Sequence, residues 1–342
     1  MPANLLIIQT AFIGDVVLTT PLIRAARERL AAVRLAVLVR PDAAELLRHN
    51  PCIDEIIPYD KHGKARGFSS LLALARRLRQ QSFDAALIPH RSFRSALIAW
   101  LARIPYRVGF ETSAGRWLLT ERVPYRRVHE VERNLDLLRP WEVDEVSCSP
   151  ELFPAEDDQA FADEFLAAHG AERSAVLIGI SPGSIWPTKR WLPERFAEVA
   201  RRAEREWNAR VLLFGGPEDA PLCRQIAEQT GGVPLIAAGR ATLLQSAALV
   251  SRCDVLISND SAMAHIAAAM GTRVIALFGP TVPAFGFAPY GVDHRIIERS
   301  LPCRPCSRHG GKRCPIGTHE CMRGIEVEEV LQAAQRAVTS DK

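Results

Sequence analysis

Four short runs in this sequence carry side chains whose types and spacing could do chemistry. Gly14-Asp15 follows the apolar run Leu5–Ile8. A carboxylate there could take a proton from a substrate hydroxyl, and Asp is equally suited to capping the helix expected after it. Ser181–Trp191 combines Gly and Ser amides with Lys189 and Arg190, a set that suits a phosphate or pyrophosphate; the plainer alternative is a solvated basic pair beside a packed Trp191. In Ser258–His265, Asp260 is expected to cap a helix whose first amides, from Ser261, Ala262 and Met263, face an anion. His265 would lie one turn along from Ser261, as an anion ligand or as a satisfied core residue. Gly215–Asp219 offers an acid, Glu218, either to the ribose hydroxyls of a nucleotide or to a helix start.

A fifth constellation is Cys303-x2-Cys306-x7-Cys314-x6-Cys321, half of the eight cysteines. Four thiols at this density could form a tetrahedral zinc or iron–sulfur site, but a single C-x2-C pair matches no standard ribbon or finger. A small loop of free thiols in a reducing compartment is the other reading. The dinucleotide fingerprint G-x-G-x-x-G follows neither first strand, and no P-loop or G-x-S-x-G elbow occurs. These absences argue against nicotinamide, P-loop and nucleophile-elbow enzymes.

The elements that must position these runs read as two similar halves. Leu5–Ile8, Leu35–Val39, residues 53–57 and Asp84–Ile88 are expected strands, with helices over Val16–Leu30 and Leu71–Gln81. Pro21 sits awkwardly inside the first helix unless that helix begins later. After a Pro- and acid-rich stretch over Pro140–Asp158 the pattern restarts. Strands are expected at Val176–Ile180, Val211–Phe214, Asp254–Ser258 and Val274–Phe278, with helices at Pro193–Arg205, Ala262–Met270 and Glu326–Val338. Strands alternating with helices imply parallel sheets covered on both faces, with ligands in the loops after the strands. The expected division is a Rossmann-like domain over 1–160, a second over 170–325 and a closing helix over 326–342, with a cleft between the two domains.

Composition sets the bounds. At 342 residues with 48% hydrophobic and 24% charged, the chain suits two globular domains and excludes wholesale disorder. No apolar run reaches the ~18–20 residues of a bilayer span, and the start lacks a signal-peptide pattern, so a soluble cytoplasmic protein is expected. Residues 1–140 carry 22 Lys and Arg against 13 Asp and Glu, and residues 141–342 carry 21 against 26. The basic half is expected to meet something anionic. With aromatics at 7% and no stacking motif among the arginines, nucleic acid is not an expected partner.

With these runs in hand, the sequence resembles the ADP-heptose:lipopolysaccharide heptosyltransferases, which are GT-B glycosyltransferases. The resemblance rests on motifs in order along the whole chain: Gly14-Asp15 with Thr20-Pro21, Lys189-Arg190-Trp191, Asp260-Ser261-x3-His265 before Ala267-Ala268-Ala269, and Phe278-Gly279-Pro280-Thr281. His90–Ser95 and the late cysteines look most like the heptosyltransferase II branch.

The resemblance implies an α/β GT-B fold and inverting transfer of heptose from ADP-heptose to the lipopolysaccharide inner core. It implies no metal and no cofactor, and an enzyme peripheral to the cytoplasmic face of the inner membrane. Asp15 would be the base for the acceptor hydroxyl. Lys189, Thr188, Glu218, Asp260, Ser261, Ala262, Met263 and His265 would bind the donor, and His90, Arg91 and Arg94 the acceptor. Two departures stand out: Ser261-Ala262 replaces a common Thr-Gly, and Leu192 separates Trp191 from Pro193. Another acceptor position, another nucleotide sugar or a non-catalytic binding module are the alternative readings.

Overall fold

The computed structural model describes residues 1–30, 34–60, 67–144, 147–171, 176–231 and 234–339. Contacts divide the chain into two units, Met1–Phe153 and Pro154–Lys342.

Unit one runs β1 (Asn4–Gln9), α1 (Ile13–Val17), α2 (Thr20–Arg29), β2 (Arg34–Val39), α3 (Pro41–Ala44) and β3 (Glu55–Pro58). It continues with α4 (Phe68–Gln80), β4 (Ala85–Ile88), α5 (Phe93–Leu101), β5 (Tyr106–Phe110), β6 (Glu121–Val123) and α6 (Glu130–Asp136). The six strands form one parallel sheet in the order β3-β2-β1-β4-β5-β6. Leu5, Leu6, Ile7 and Ile8 are fully buried, as the central strand of a sheet covered on both faces requires.

The expected single helix over Val16–Leu30 is two helices. Thr19 and Thr20, both fully buried, place their hydroxyls on the carbonyls of Asp15 (2.7 Å) and Val17 (2.8 Å), and Gln9 Nε2 donates to Thr19 Oγ1 at 2.9 Å. These bonds fix the break, and α2 restarts there with Pro21 in its first turn, where the missing N–H costs nothing.

Unit two runs α7 (Glu156–Ala168), β7 (Leu177–Ser181), α8 (Pro193–Trp207), β8 (Arg210–Leu213), α9 (Ala220–Thr230), β9 (Leu235–Ile236) and α10 (Leu243–Val250). It ends with β10 (Val255–Asn259), α11 (Ala262–Ala269), β11 (Arg273–Phe278), β12 (His294–Glu298), α12 (Glu320–Arg323) and α13 (Val327–Thr339). Its parallel sheet has the order β12-β11-β10-β7-β8-β9. α13 packs on α8, β10 and β11 through Val330, Leu331 and Ala334. The acid-rich stretch expected as a connection up to Asp158 instead runs into α7, whose first turn is Glu156, Asp157 and Asp158. Acids belong at that positive end of a helix, so the same residues that read as a linker are a helix start.

Each sheet reverses direction once. In unit one the chain moves from β1 outward to β2 and β3, then returns to β4 beside β1. In unit two it moves from β7 to β8 and β9, then returns to β10 beside β7. The loops after β1 and β4, and those after β7 and β10, therefore flank the crevices where open α/β sheets bind ligands.

Candidate functional site

At the reversal point of unit two, Asn259 ends β10 and ties the two loops together. Its Nδ2 donates to Pro182 O at 2.8 Å, and its Oδ1 accepts from Trp191 N at 3.0 Å. Trp191, 1% exposed, donates its indole N–H to Ile325 O at 3.1 Å and packs edge-on against Phe196. This pins the turn Pro187–Lys189, so that Lys189 Nζ reaches Asp260 Oδ2 at 2.6 Å and Asp260 O at 3.3 Å. Thr281, from the turn after β11, donates its hydroxyl to the same Oδ2 at 2.6 Å.

This corrects the reading of Asp260 as a helix cap. The residue flanking α11 is Ser261, and the Asp260 carboxylate turns to a full cation and a hydroxyl. With the Lys189 and Asp260 side chains only 13% and 9% exposed, a buried carboxylate is stabilised far more by an ammonium than by amide dipoles. An ammonium has three N–H groups, and two of them are used here. The first amides of α11 lie just beyond, and His265, 5% exposed, stands one turn on. The positive end of an eight-residue helix and a lysine thus share one reversal point.

Of the two acids after β8, Glu218 is exposed, whereas Asp219 accepts from Gly216 N at 3.2 Å and is half-buried. Burial pushes the Asp219 carboxyl above its ordinary range, against the opposing pull of that amide and of Arg190. A Cβ on Gly183 would lie 2.4 Å from the Asp219 carboxylate, so the loop after β7 passes close against this acid.

The segment Leu301–Arg323, read from sequence only for its thiols, holds this arrangement through other residues. Thr188 Oγ1 donates to Gly311 O at 2.9 Å and accepts from Gly311 N at 2.8 Å, so its hydroxyl is engaged within the fold. His319 Nε2 donates to Thr188 O at 2.7 Å, which sets its tautomer. Gly310, at φ +93, passes so close that a Cβ would meet Trp186 Cβ at 2.9 Å and Lys189 Cγ at 3.1 Å. Arg304, its side chain 4% exposed, bonds Thr281 O at 2.8 Å, Glu298 Oε2 at 2.7 Å and the carbonyls of Gly279 and Arg299. One strap therefore braces both turns that meet at Asp260. The signal for it was present as the His and Arg interleaved with the cysteines.

None of the eight cysteines is in a disulfide. Cys314 Sγ accepts from His319 N at 3.4 Å, and that amide with those of Ile316, Gly317 and Thr318 holds its pKa below the usual thiol value. Burial pushes Cys321 up to about 11. Among the described residues, no group of three or more His, Cys, Asp or Glu side chains is arranged to hold a metal ion.

At the reversal point of unit one, His90 Nδ1 lies 3.0 Å from Thr10 Oγ1 and 3.2 Å from Ser95 Oγ, linking the loop after β4 to that after β1. Asp15 sits in the first turn of α1, where its Oδ2 accepts from Phe12 N at 3.1 Å. Asp15 therefore caps from inside α1, as its third residue bonding back to the Phe12 amide, and not as the residue before the helix. Arg91 lies over the Tyr125 ring at 4.1 Å, and Arg94 Nη1 donates to the buried Tyr59 hydroxyl at 2.8 Å.

Two parallel sheets, each with a polar reversal point, define an α/β protein of the GT-B class. The chain belongs to the family described as glycosyltransferase family 9 (heptosyltransferase), which it matches over residues 71–315. It is 29% identical to the lipopolysaccharide core heptosyltransferase OpsX of Haemophilus influenzae, over 87% of this chain and 84% of that protein. Among solved structures, a family 9 glycosyl transferase from Veillonella parvula superposes with TM-score 0.89 at 28% identity, covering 99% of this chain and 98% of that one. The E. coli ADP-heptose lps heptosyltransferase II superposes with TM-score 0.79 at 25% identity, covering 98% of each.

Proposed function

We propose that this heptosyltransferase moves heptose from ADP-heptose to the inner core of lipopolysaccharide, on a heptosyl, Kdo-bearing lipid A acceptor. In this reading it works at the cytoplasmic face of the inner membrane without spanning it. Among the described residues no helix is long and apolar enough to cross a membrane. The similarity to heptosyltransferase II favours the second core heptose as the product.

Asp15 takes the proton of the acceptor hydroxyl, and the freed oxygen attacks the anomeric carbon of the heptose. The bond from that carbon to the β-phosphate oxygen breaks, and its electron pair leaves on ADP. A single displacement inverts the anomeric centre. Lys189 and the amides of Ser261, Ala262 and Met263 neutralise the charge growing on the diphosphate, with His265 behind them, so no metal is required. Asp260 contacts the heptose while keeping Lys189 aimed, and Thr188 seats Lys189 through its backbone. Glu218 takes the ribose hydroxyls. His90, Arg91 and Arg94 meet the anionic acceptor.

The observation that carries this reading is the Lys189–Asp260–Thr281 set beside the α11 N-terminus. Calorimetry with ADP tests it. Wild-type protein should bind ADP with no divalent ion present, and Lys189→Met should weaken binding by about tenfold or more, roughly 1.4 kcal/mol. Unchanged affinity in the variant would overturn the donor assignment. Transfer from ADP-heptose to a purified core acceptor, with the new linkage read by NMR, tests the reaction and its inversion.

A further inference from the structure

Unit one has a face that the transfer chemistry leaves unused. α4 and α5 each connect parallel strands, so both start at the carboxyl edge of the sheet and run back across it. Their inner sides, with Leu71, Leu78, Ala96, Ile98 and Ala99, are buried in one core. At helical spacing, Phe68, Leu72, Arg76 and Arg79 form one outward stripe of α4, and Phe93 and Trp100, seven residues apart, lie on the outward side of α5.

These outward side chains are unusually apolar for a water-facing layer. Phe68 is 67% exposed, Phe93 44% and Trp100 49%, and Trp117, 60% exposed, packs its ring 6.3 Å from that of Phe93. They are four of the eight large apolar side chains exposed among the described residues. Arg116 lies 5.4 Å from the Trp117 ring. Between residues 67 and 103 the sequence holds six arginines and one acid, Asp84. That acid accepts the amides of Ala3 and Asn4 at the amino edge of the sheet, away from the N-terminal ends of both helices.

We propose that the α4–α5 face, extended by Trp117, docks on an anionic lipid bilayer. Arg77 is paired with Glu55 at 3.2 Å, and the aromatic rings interleaved with the other arginines of α4 match the interfacial zone, where rings enter the acyl boundary and guanidinium groups meet phosphates. Phe68, Phe93 and Trp117 lie toward the edge that holds His90 and Arg94, the end at which a membrane-borne acceptor would be met, and Trp100 lies toward the other end of α5. The biological purpose of this docking rests on the glycolipid-acceptor reading above; the binding itself does not.

Vesicle flotation tests it, using phosphatidylcholine alone or mixed with phosphatidylglycerol, on wild type, Trp100→Ser/Trp117→Ser and Arg76→Glu/Arg79→Glu. Wild type should float with the anionic vesicles, less so at high salt, and should stay behind with phosphatidylcholine alone. Each double variant should lose about tenfold or more in partitioning, with thermal stability and ADP affinity unchanged. Wild type that fails to float with anionic vesicles, or variants that float as well as wild type, would overturn the proposal; so would loss of a protein partner in place of lipid binding. Transfer to a delipidated core acceptor should be equal in all three proteins. Vesicle binding without any transfer would break the transferase reading alone.

Discussion

The two reversal points differ in how tightly they are built. In unit two, Lys189, Asp260 and Thr281 are cross-bonded, nearly dry and braced from behind by a strap that contacts both supporting turns. In unit one, His90 meets Thr10 and Ser95, Arg91 lies over Tyr125 and Arg94 bonds Tyr59, and the rim carries exposed Phe93 and Trp117. The contrast matches two different tasks. Charge developing on a diphosphate is stabilised most by fixed groups in a dry setting, where no reorganisation is needed at the moment of reaction. A bulky amphiphilic acceptor is better met by an open edge with many weak contacts.

The sharpest way to break this contrast is at Asp15, the one group in the open half assigned to bond-making. Asp15→Asn keeps a carbonyl oxygen for the Phe12 amide, so α1 should start as before and stability should hold. Losing the base should reduce kcat by about 100-fold or more, roughly 3 kcal/mol of barrier, with ADP affinity intact. Rapid-quench transfer assays and calorimetry on the same preparation check both halves. A variant that retains most of its rate would return Asp15 to a purely structural role.

The strap allows a second test, of smaller effect, on the closed half. His319 touches no substrate in the proposed mechanism; it positions Lys189 by holding the Thr188 carbonyl. His319→Ala should weaken ADP binding about three- to fivefold, roughly 0.6–1 kcal/mol, the scale of one hydrogen bond, while kcat at saturating donor changes little. His319→Gln, whose amide can donate to the same carbonyl, should restore most of that affinity. Equal losses in both variants, or a loss confined to kcat, would show that the strap is not acting through Thr188.

How much of this was legible beforehand follows from what kind of pattern each feature leaves. The central strands announced themselves because a parallel sheet buried on both faces needs unbroken apolar runs such as Leu5–Ile8 and Val255–Ile257. Other strands did not: Glu121–Val123 and Leu235–Ile236 are short, and β5 interrupts its apolar residues with Arg107 and Gly109. The loops at both reversal points were found, since Gly, Ser and charged residues after a strand are a local signal. The partner of Asp260 was not found, because the pairing of residues 189, 260 and 281 depends on three loops converging in space. A cap can be read from adjacent residues, whereas an ion pair across 71 positions cannot. The cysteine run drew attention to its thiols, while the contacts that reach the candidate site are made by His319, Gly311 and Arg304.

The smallest expected effect separates charge that the closed half needs from charge it merely tolerates. Asp219 is half-buried with its carboxyl pKa raised, chiefly by burial. For a group whose folded pKa lies above its unfolded one, the favourable contribution is complete below the ordinary value of 3.8 and is lost as pH rises through the folded value. At neutral pH the ionised Asp219 is therefore a net cost to folding. Asp219→Asn retains an oxygen for the Gly216 amide and removes that cost, so Tm at neutral pH should rise by about 1–2 °C, a figure discounted for partial solvent screening. The gain should shrink as pH falls through the folded value and vanish near the ordinary one. Thermal melts of both proteins across this range decide the matter. A pH-independent difference would mean that ionisation of Asp219 does not set the effect, whereas an Asn variant less stable at neutral pH would mean that Asp219 is needed as a charged partner of Arg190, making the closed half more dependent on paired charge than the Lys189–Asp260 bond alone implies.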